Sequence, residues 1–214
     1  MDWFAAVDGY CERLGPGLWA EPLNLVSNAA FLAAALWVWP RTQGQPLARA
    51  LAALLALIGM GSALFHSFAT PLTGLTDVLP ILGFILLYLF AAARRLLALR
   101  PAAALLVVLA FFPFAALAVP VLHWLLPGLG SSAGYAPIPV LIVIFAALTH
   151  RKAPQTARRL VLGAGLLALS ILARSLDAPL CPVLPMGTHV LWHFLNAVLL
   201  ALMIDTLQRH IPRR

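Results

Sequence analysis

Gly187-Thr188-His189-Val190-Leu191-Trp192-His193-Phe194-Leu195-Asn196 opens the last long apolar run of the chain, residues 187–207. A run of about 20 apolar residues is long enough to cross a bilayer as a helix. His189 and His193 stand four apart, so a helix brings both imidazoles to one face, one turn from each other. Two neutral imidazoles held this way chelate a borderline-soft metal such as zinc. His-x-x-x-His alone is a weak pattern, and two unrelated histidines in an interfacial turn would give it too. In lipid, however, a polar side chain is costly and marks a functional candidate.

Composition agrees with a membrane setting. The chain has 214 residues, 63% of them hydrophobic and 10% charged, with a mean hydropathy of +0.96; soluble domains carry about 25% charged residues. The length suits one helical bundle. Residues 1–21 contain Asp2, Asp8, Glu12 and Glu21 without a basic amino-terminal run, so no cleavable signal is expected.

Outward from the last run, apolar segments lie at 22–39, 47–69, 76–93, 102–122, 136–149 and 159–176. The fifth is short and is expected to begin nearer Gly134. Pro113, Pro120 and Pro127 interrupt the stretch from Pro101 to Leu129, which reads as one span plus a re-entrant or interfacial tail holding His123. The expected fold is an all-α, seven-transmembrane helix bundle. Residues 1–21 form an external segment, 22–208 the bundle and 209–214 a short basic tail.

Charge sets the expected orientation. Arg41, Arg49, Arg94, Arg95, Arg100, Arg151, Lys152, Arg158, Arg159, Arg209, Arg213 and Arg214 fall on one side, twelve of the fourteen basic residues; Arg13 and Arg174 fall on the other. Positive charge stays cytoplasmic, so the amino terminus is expected outside and the carboxyl terminus inside, in a bacterial-type inner (plasma) membrane. An even number of spans would break the pattern. The net charge of +7 is then topological, with anionic headgroups as its partners and no nucleic acid. Cys11 and Cys181 both fall on the external side, where they can pair or remain free thiols.

Polar residues inside the spans share one depth. Span two ends with Ser62 and His66, span three begins near Thr76-Asp77, and span seven opens with His189 and His193, all at the outer end. Five such groups would cost several kcal/mol if left unpaired. Three histidines with an open fourth position is the pattern of catalytic zinc. Asp77 can serve as general base, orient a histidine, or cap span three. Ser62 can donate to a developing oxyanion or pack helices alongside Gly59 and Gly61. Asn24, Ser27 and Asn28 form a stripe suited to helix packing or to a lipid pocket. His150 and His210 sit at inner helix ends beside arginines.

Glu21-Pro22-Leu23-Asn24 with Ser27 and Asn28, Gly61-Ser62-x-x-Phe65-His66, Asp77-x-x-Pro80 and His189-x-x-Trp192-His193 together resemble the alkaline ceramidases. Those belong to a superfamily of seven-span hydrolases that includes the adiponectin and progestin receptors. The likeness runs through nearly the whole chain in order. It implies zinc held by His66, His189 and His193, with Ser62 and Asp77 assisting hydrolysis of a ceramide amide to a sphingoid base and a fatty acid. It also implies that Cys11 and Cys181 are joined, and that Asp8, Glu12 and Glu21, with a carbonyl from Tyr10, hold external calcium. The calcium pattern departs from the family's: Asp8-Gly-Tyr-Cys-Glu12 has an extra residue and Leu14 stands where the family has Asn. Calcium takes six or more oxygens.

The expected function is a zinc-dependent hydrolase acting on the linear amide of a membrane lipid, ceramide or another N-acyl lipid. A ligand-sensing receptor with little turnover would share the metal layer, although few residues follow span seven to carry a signal. A membrane cytochrome is disfavoured by a hydroxyl and a carboxylate beside the ligands.

Overall fold

The computed structural model describes residues 2–210, and within them all regular structure is helical. The helices are α1 Pro22–Ser27, α2 Ala29–Val38, α3 Pro46–Phe68, α4 Pro71–Arg95, α5 Pro101–Leu125, α6 Pro137–Thr149, α7 Pro154–Leu180 and α8 His189–Gln208, with short 3-10 turns at Trp39–Thr42 and Pro127–Tyr135. Proline sits in the first turn of α1, α3, α4, α5, α6 and α7. Its missing N–H costs nothing there and its fixed φ suits a helix start.

Six helical stretches are long and apolar enough to cross a membrane: Pro22–Thr42, Pro46–Phe68, Pro71–Arg95, Pro101–Leu125, Pro154–Leu180 and His189–Gln208. A seventh exists only if Pro127–Tyr135 and Pro137–Thr149, which meet at a 60° bend, count as one crossing. At about 1.5 Å per residue the 13-residue α6 alone falls short of a hydrocarbon core of about 30 Å.

Two expected boundaries are corrected. The third span begins at Pro71 rather than near Thr76, because Thr70 and Thr73 bond reciprocally in a capping box ahead of it. Asp77 therefore lies inside α4 and does not cap it. The fourth span continues as one helix to Leu125 through Pro113 and Pro120, so His123 lies in its last turn and not in a loop-like tail. The basic tail's last residues, 211–214, lie outside the described part.

α8 is the central helix. It touches α1, α2, α3, α4 and α7, and 61% of its most apolar window is buried, against 6% for α5, which lines the periphery. α3 and α4 meet at backbone distance: a Cβ on Gly61 would lie 1.9 Å from the Thr76 carbonyl oxygen. Thr76 Oγ1 in turn donates to Gly61 O at 3.2 Å. This contact brings the end of α3 carrying Ser62 and His66 against the start of α4 carrying Asp77.

Residues 2–21 form turns folded over that same end. Val7 N–H donates to Ala69 O at 2.7 Å and Leu72 N–H to Trp3 O at 3.2 Å. Cys11 and Cys181 are joined, 170 residues apart in sequence, with their Cα atoms 5.3 Å apart. At the opposite end Asp205 binds both Arg159 and Arg209, and Arg95 donates to Gln45 Oε1 at 2.7 Å.

Candidate metal centre

His66, His189 and His193 come together in the helical core. One ring nitrogen from each lies within 4.8 Å of the others. Their relative exposures are 0%, 2% and 1%. His66 Nε2, His189 Nδ1 and His193 Nε2 are buried without a hydrogen-bond partner. Buried polar atoms are nearly always paired, so three orphan imidazole nitrogens in one cluster fit a metal ion better than an empty apolar core.

For His66 and His193 the other ring nitrogen explains why this lone pair is free. His66 Nδ1 lies 2.6 Å from Glu21 Oε2. An ionised carboxylate only accepts, so Nδ1 carries the proton and Nε2 the lone pair. Ser27 donates its one hydroxyl hydrogen to Asn24 O at 2.9 Å. Its oxygen, 2.6 Å from His193 Nδ1, must then accept, which again leaves Nε2 free. Such outer partners fix both tautomer and ring orientation in metal sites. Ser27 thus bonds the first crossing to the last, as a helix-packing stripe would, and it does so through His193.

Glu21 is 1% exposed and fully engaged. Its Oε1 accepts from Arg13 Nε at 2.5 Å and its Oε2 from Asn24 Nδ2 at 3.1 Å as well as from His66. Burial raises its pKa, but the bonds from His66, Asn24 and Arg13 outweigh that and hold it below the usual carboxylate value. Arg13 also reaches the His66 carbonyl at 2.9 Å, satisfying an orphan C=O near the end of α3.

α8 is anchored by a residue that sequence reading passed over. Asp177 Oδ1 accepts from the N–H groups of Thr188 at 2.7 Å and His189 at 2.9 Å, and its Oδ2 from Cys11 N–H at 3.0 Å. This carboxylate caps the helix that carries His189 and His193 and ties it to the amino-terminal segment. Gly187, at φ +67°, passes so close that a Cβ would lie 2.1 Å from Asp177 Oδ1.

Tyr10 also takes a role other than the expected one. Its ring stacks on His189 with centroids 3.8 Å apart, and burial pushes its phenol up to about 12. Its carbonyl accepts from Arg13 N–H at 3.1 Å. Glu12 accepts from Leu23 N–H at 2.6 Å and Asn24 N–H at 2.8 Å, capping α1 across space. Asp8 is exposed. Among the described residues, the three histidines are the only group of three or more His, Cys, Asp or Glu side chains placed to share an ion, so Asp8, Glu12 and Glu21 do not converge.

Ser62 is buried, and half-buried Asp77 faces it together with His66 and Arg174. No ion pair among the described residues includes Asp77. Beneath the centre two apolar cavities share the walls Phe84, Ile85, Ile138 and Leu200, and together run from Trp192 and Asn196 to Tyr88. His123 and His150 lie apart from the cluster, and His210 bonds Thr156 at 3.0 Å at the other end of the bundle.

The arrangement sets a trio of metal-capable imidazoles near a half-buried carboxylate and a buried hydroxyl, above two apolar cavities. No curated protein matches the chain. The sequence model described as Ceramidase matches residues 11–210, a stretch that holds all three histidines, Ser62, Asp77 and both cysteines. With nearly its whole length accounted for in this way, the chain belongs to the ceramidase family.

Proposed function

We propose that the protein is a zinc-dependent intramembrane amidohydrolase that cleaves the N-acyl amide of ceramide-like lipids to a sphingoid base and a fatty acid. One observation carries the reading: three buried histidines, each with a ring nitrogen that has no protein partner, cluster near a carboxylate and a hydroxyl. The donor set suits zinc, with imidazoles, no ring of oxygens and a number of protein ligands typical of a catalytic site. When bound, zinc supplies Lewis acidity, polarising a carbonyl and bringing the pKa of water towards neutrality.

The chain's own groups divide the remaining work. Asp77 takes the proton of the attacking water and returns it to the departing amine. Ser62 donates its O–H to the carbonyl oxygen as negative charge develops there. Glu21 and Ser27 hold His66 and His193 in the tautomers that leave Nε2 available. The acyl chain enters the slot that begins at Trp192 and Asn196. Calcium has no part in the proposal, because the Glu12 and Glu21 carboxylates are spent on protein donors.

In this reading the bent pair counts as a crossing, the chain crosses a plasma membrane seven times with its amino terminus outside, and the centre lies just beneath the external face. The asymmetry of basic residues supports this orientation. Changing His193 to Ala is expected to remove both bound zinc and hydrolysis of a labelled ceramide, measured by elemental analysis and product release. Full turnover by that variant would rule the mechanism out.

A further inference from the structure

The end of the bundle away from the histidines carries a surplus of positive charge. Buried Asp205, near the end of α8, accepts from Arg159 of α7 and from Arg209 Nε at 2.9 Å. Guanidinium stays charged at any relevant pH, so this one carboxylate balances only one of the two. Arg95 adds a third, bonded to the neutral Gln45 Oε1 and, at 3.4 Å, to the Gln208 carbonyl. No other acidic residue is at hand. Asp2, Asp8, Glu12 and Glu21 precede α1 in the part of the chain folded over the histidine end, Asp77 faces His66, and Asp177 caps the start of α8.

Two cavities adjoin at Arg159. The first, of about 430 Å³, is polar; Gln155, Thr156, Arg159, Thr206 and Arg209 stand in its walls, and no carboxylate does. The second, of about 700 Å³, is an apolar groove between α2 and α8 with Ala30, Ala33, Ala34, Ala197 and Ala201 along it and Arg159 and Asp205 at its end. It follows α8 from Phe194 to Asp205, about 16 Å at 1.5 Å per residue, which is close to one leaflet's share of a hydrocarbon core of about 30 Å. Trp37 lines it too, and Arg41 lies over that ring, 4.0 Å from its centroid. Tryptophan with arginine is a pair suited to the depth of lipid headgroups. Neither cavity shares a wall residue with the two beneath the histidines.

We propose that this end of the protein is a binding site for an anionic glycerophospholipid, with its phosphate in the polar pocket between Arg159 and Arg209 and one acyl chain along the α2–α8 groove. The planar fork of arginine matches phosphate bidentately, and the surplus guanidinium selects a headgroup of net negative charge. A zwitterionic lipid brings its own cation to the same place and leaves that surplus unbalanced. A free phosphate meets the pocket but leaves the apolar groove uncovered, so the pair of cavities fits a lipid better than a soluble anion. The bound lipid is a resident partner and not the substrate, because the site lies at the opposite end of the bundle from the histidines and does not depend on the reaction there.

The test measures lipid binding to the full chain in detergent by native mass spectrometry, with dioleoylphosphatidylglycerol, dioleoylphosphatidylcholine and inorganic phosphate as probes. The wild type is expected to bind the glycerol lipid with a Kd at least about tenfold below that of the choline lipid, and millimolar phosphate should displace neither. Arg209→Gln, at a side chain 64% exposed, should weaken the anionic lipid about fivefold and leave the choline lipid unchanged. Ala34→Leu, which fills the groove, should weaken both lipids. Equal affinity of the wild type for the two lipids would overturn the proposal, as would displacement of the glycerol lipid by millimolar phosphate, which would mark a site for soluble anions; these two arms need no variant. An undiminished preference in Arg209→Gln, or undiminished binding in Ala34→Leu, would place the lipid elsewhere and overturn it as well.

Discussion

Ser27 and Glu21 never touch a metal in this scheme, yet they decide which nitrogens face it. Ser27 has one hydrogen to give and gives it to Asn24, so its oxygen must receive from His193. Replacing Ser27 by Ala, or Glu21 by Gln, removes the acceptor or its charge and lets the ring tautomerise or turn. Zinc affinity is expected to fall about 10- to 100-fold in each variant, measured by competition with a chromophoric chelator; unchanged affinity would mean that the two groups are only structural. The histidines were legible in the sequence because spacing on one helix places His189 over His193. Their partners were not. The Ser27–His193 contact spans 166 residues of sequence, and only the packing of the first crossing against the last creates it. Arg174 was counted merely as one of two external cations, since nothing local to it announces Tyr10 and Trp192 as neighbours.

At the scale of the helix, Gly61 carries the most stringent requirement. Its α3 backbone lies against the Thr76 carbonyl of α4, and a methyl group would have to occupy the same space. Gly61→Ala is expected to part the two helices, lowering stability by about 1–3 kcal/mol and moving Asp77 away from Ser62 and His66. Hydrolysis should fall further than stability, read as kcat against the thermal midpoint in detergent. A variant with normal turnover would show that the crossing does not position Asp77. The sequence marked this region by its small residues but missed the start of α4 by five positions, from Pro71 to Thr76, because apolar periodicity is silent about a Thr-Pro cap lying ahead of it. The helices themselves were legible, their apolar runs being bounded by prolines. The bend before α6 was legible only as a run too short to cross.

On the scale of the whole molecule, three separated parts of the chain meet at one end: the segment before α1, the α3–α4 junction and the start of α8. The link between Cys11 and Cys181 fastens the first to the last, and Tyr10 and Arg13 ride on the fastened segment. Mild reduction is expected to loosen that segment and uncover the centre. Loss of Tyr10 and Arg13 contacts should weaken zinc retention and activity, while the helical circular-dichroism signal persists because the helix core does not depend on the link. Cys11→Ser should reproduce the effect of the reductant, and a Cys11→Ser protein with wild-type zinc retention would refute the coupling.

The position of His189 and His193 so late in the chain carries a consequence for biosynthesis. A ribosome that has already delivered α1 to α7 to the bilayer has yet to make two of the three rings and the helix against which α1, α2, α3, α4 and α7 pack. Until then a nascent or truncated chain holds the first ring, the hydroxyl and the carboxylate, but no trio to close on an ion. On the proposed mechanism the hydrolytic apparatus is complete only once α8 is made, so chains that stop before His189 are expected to leave the lipids around them intact.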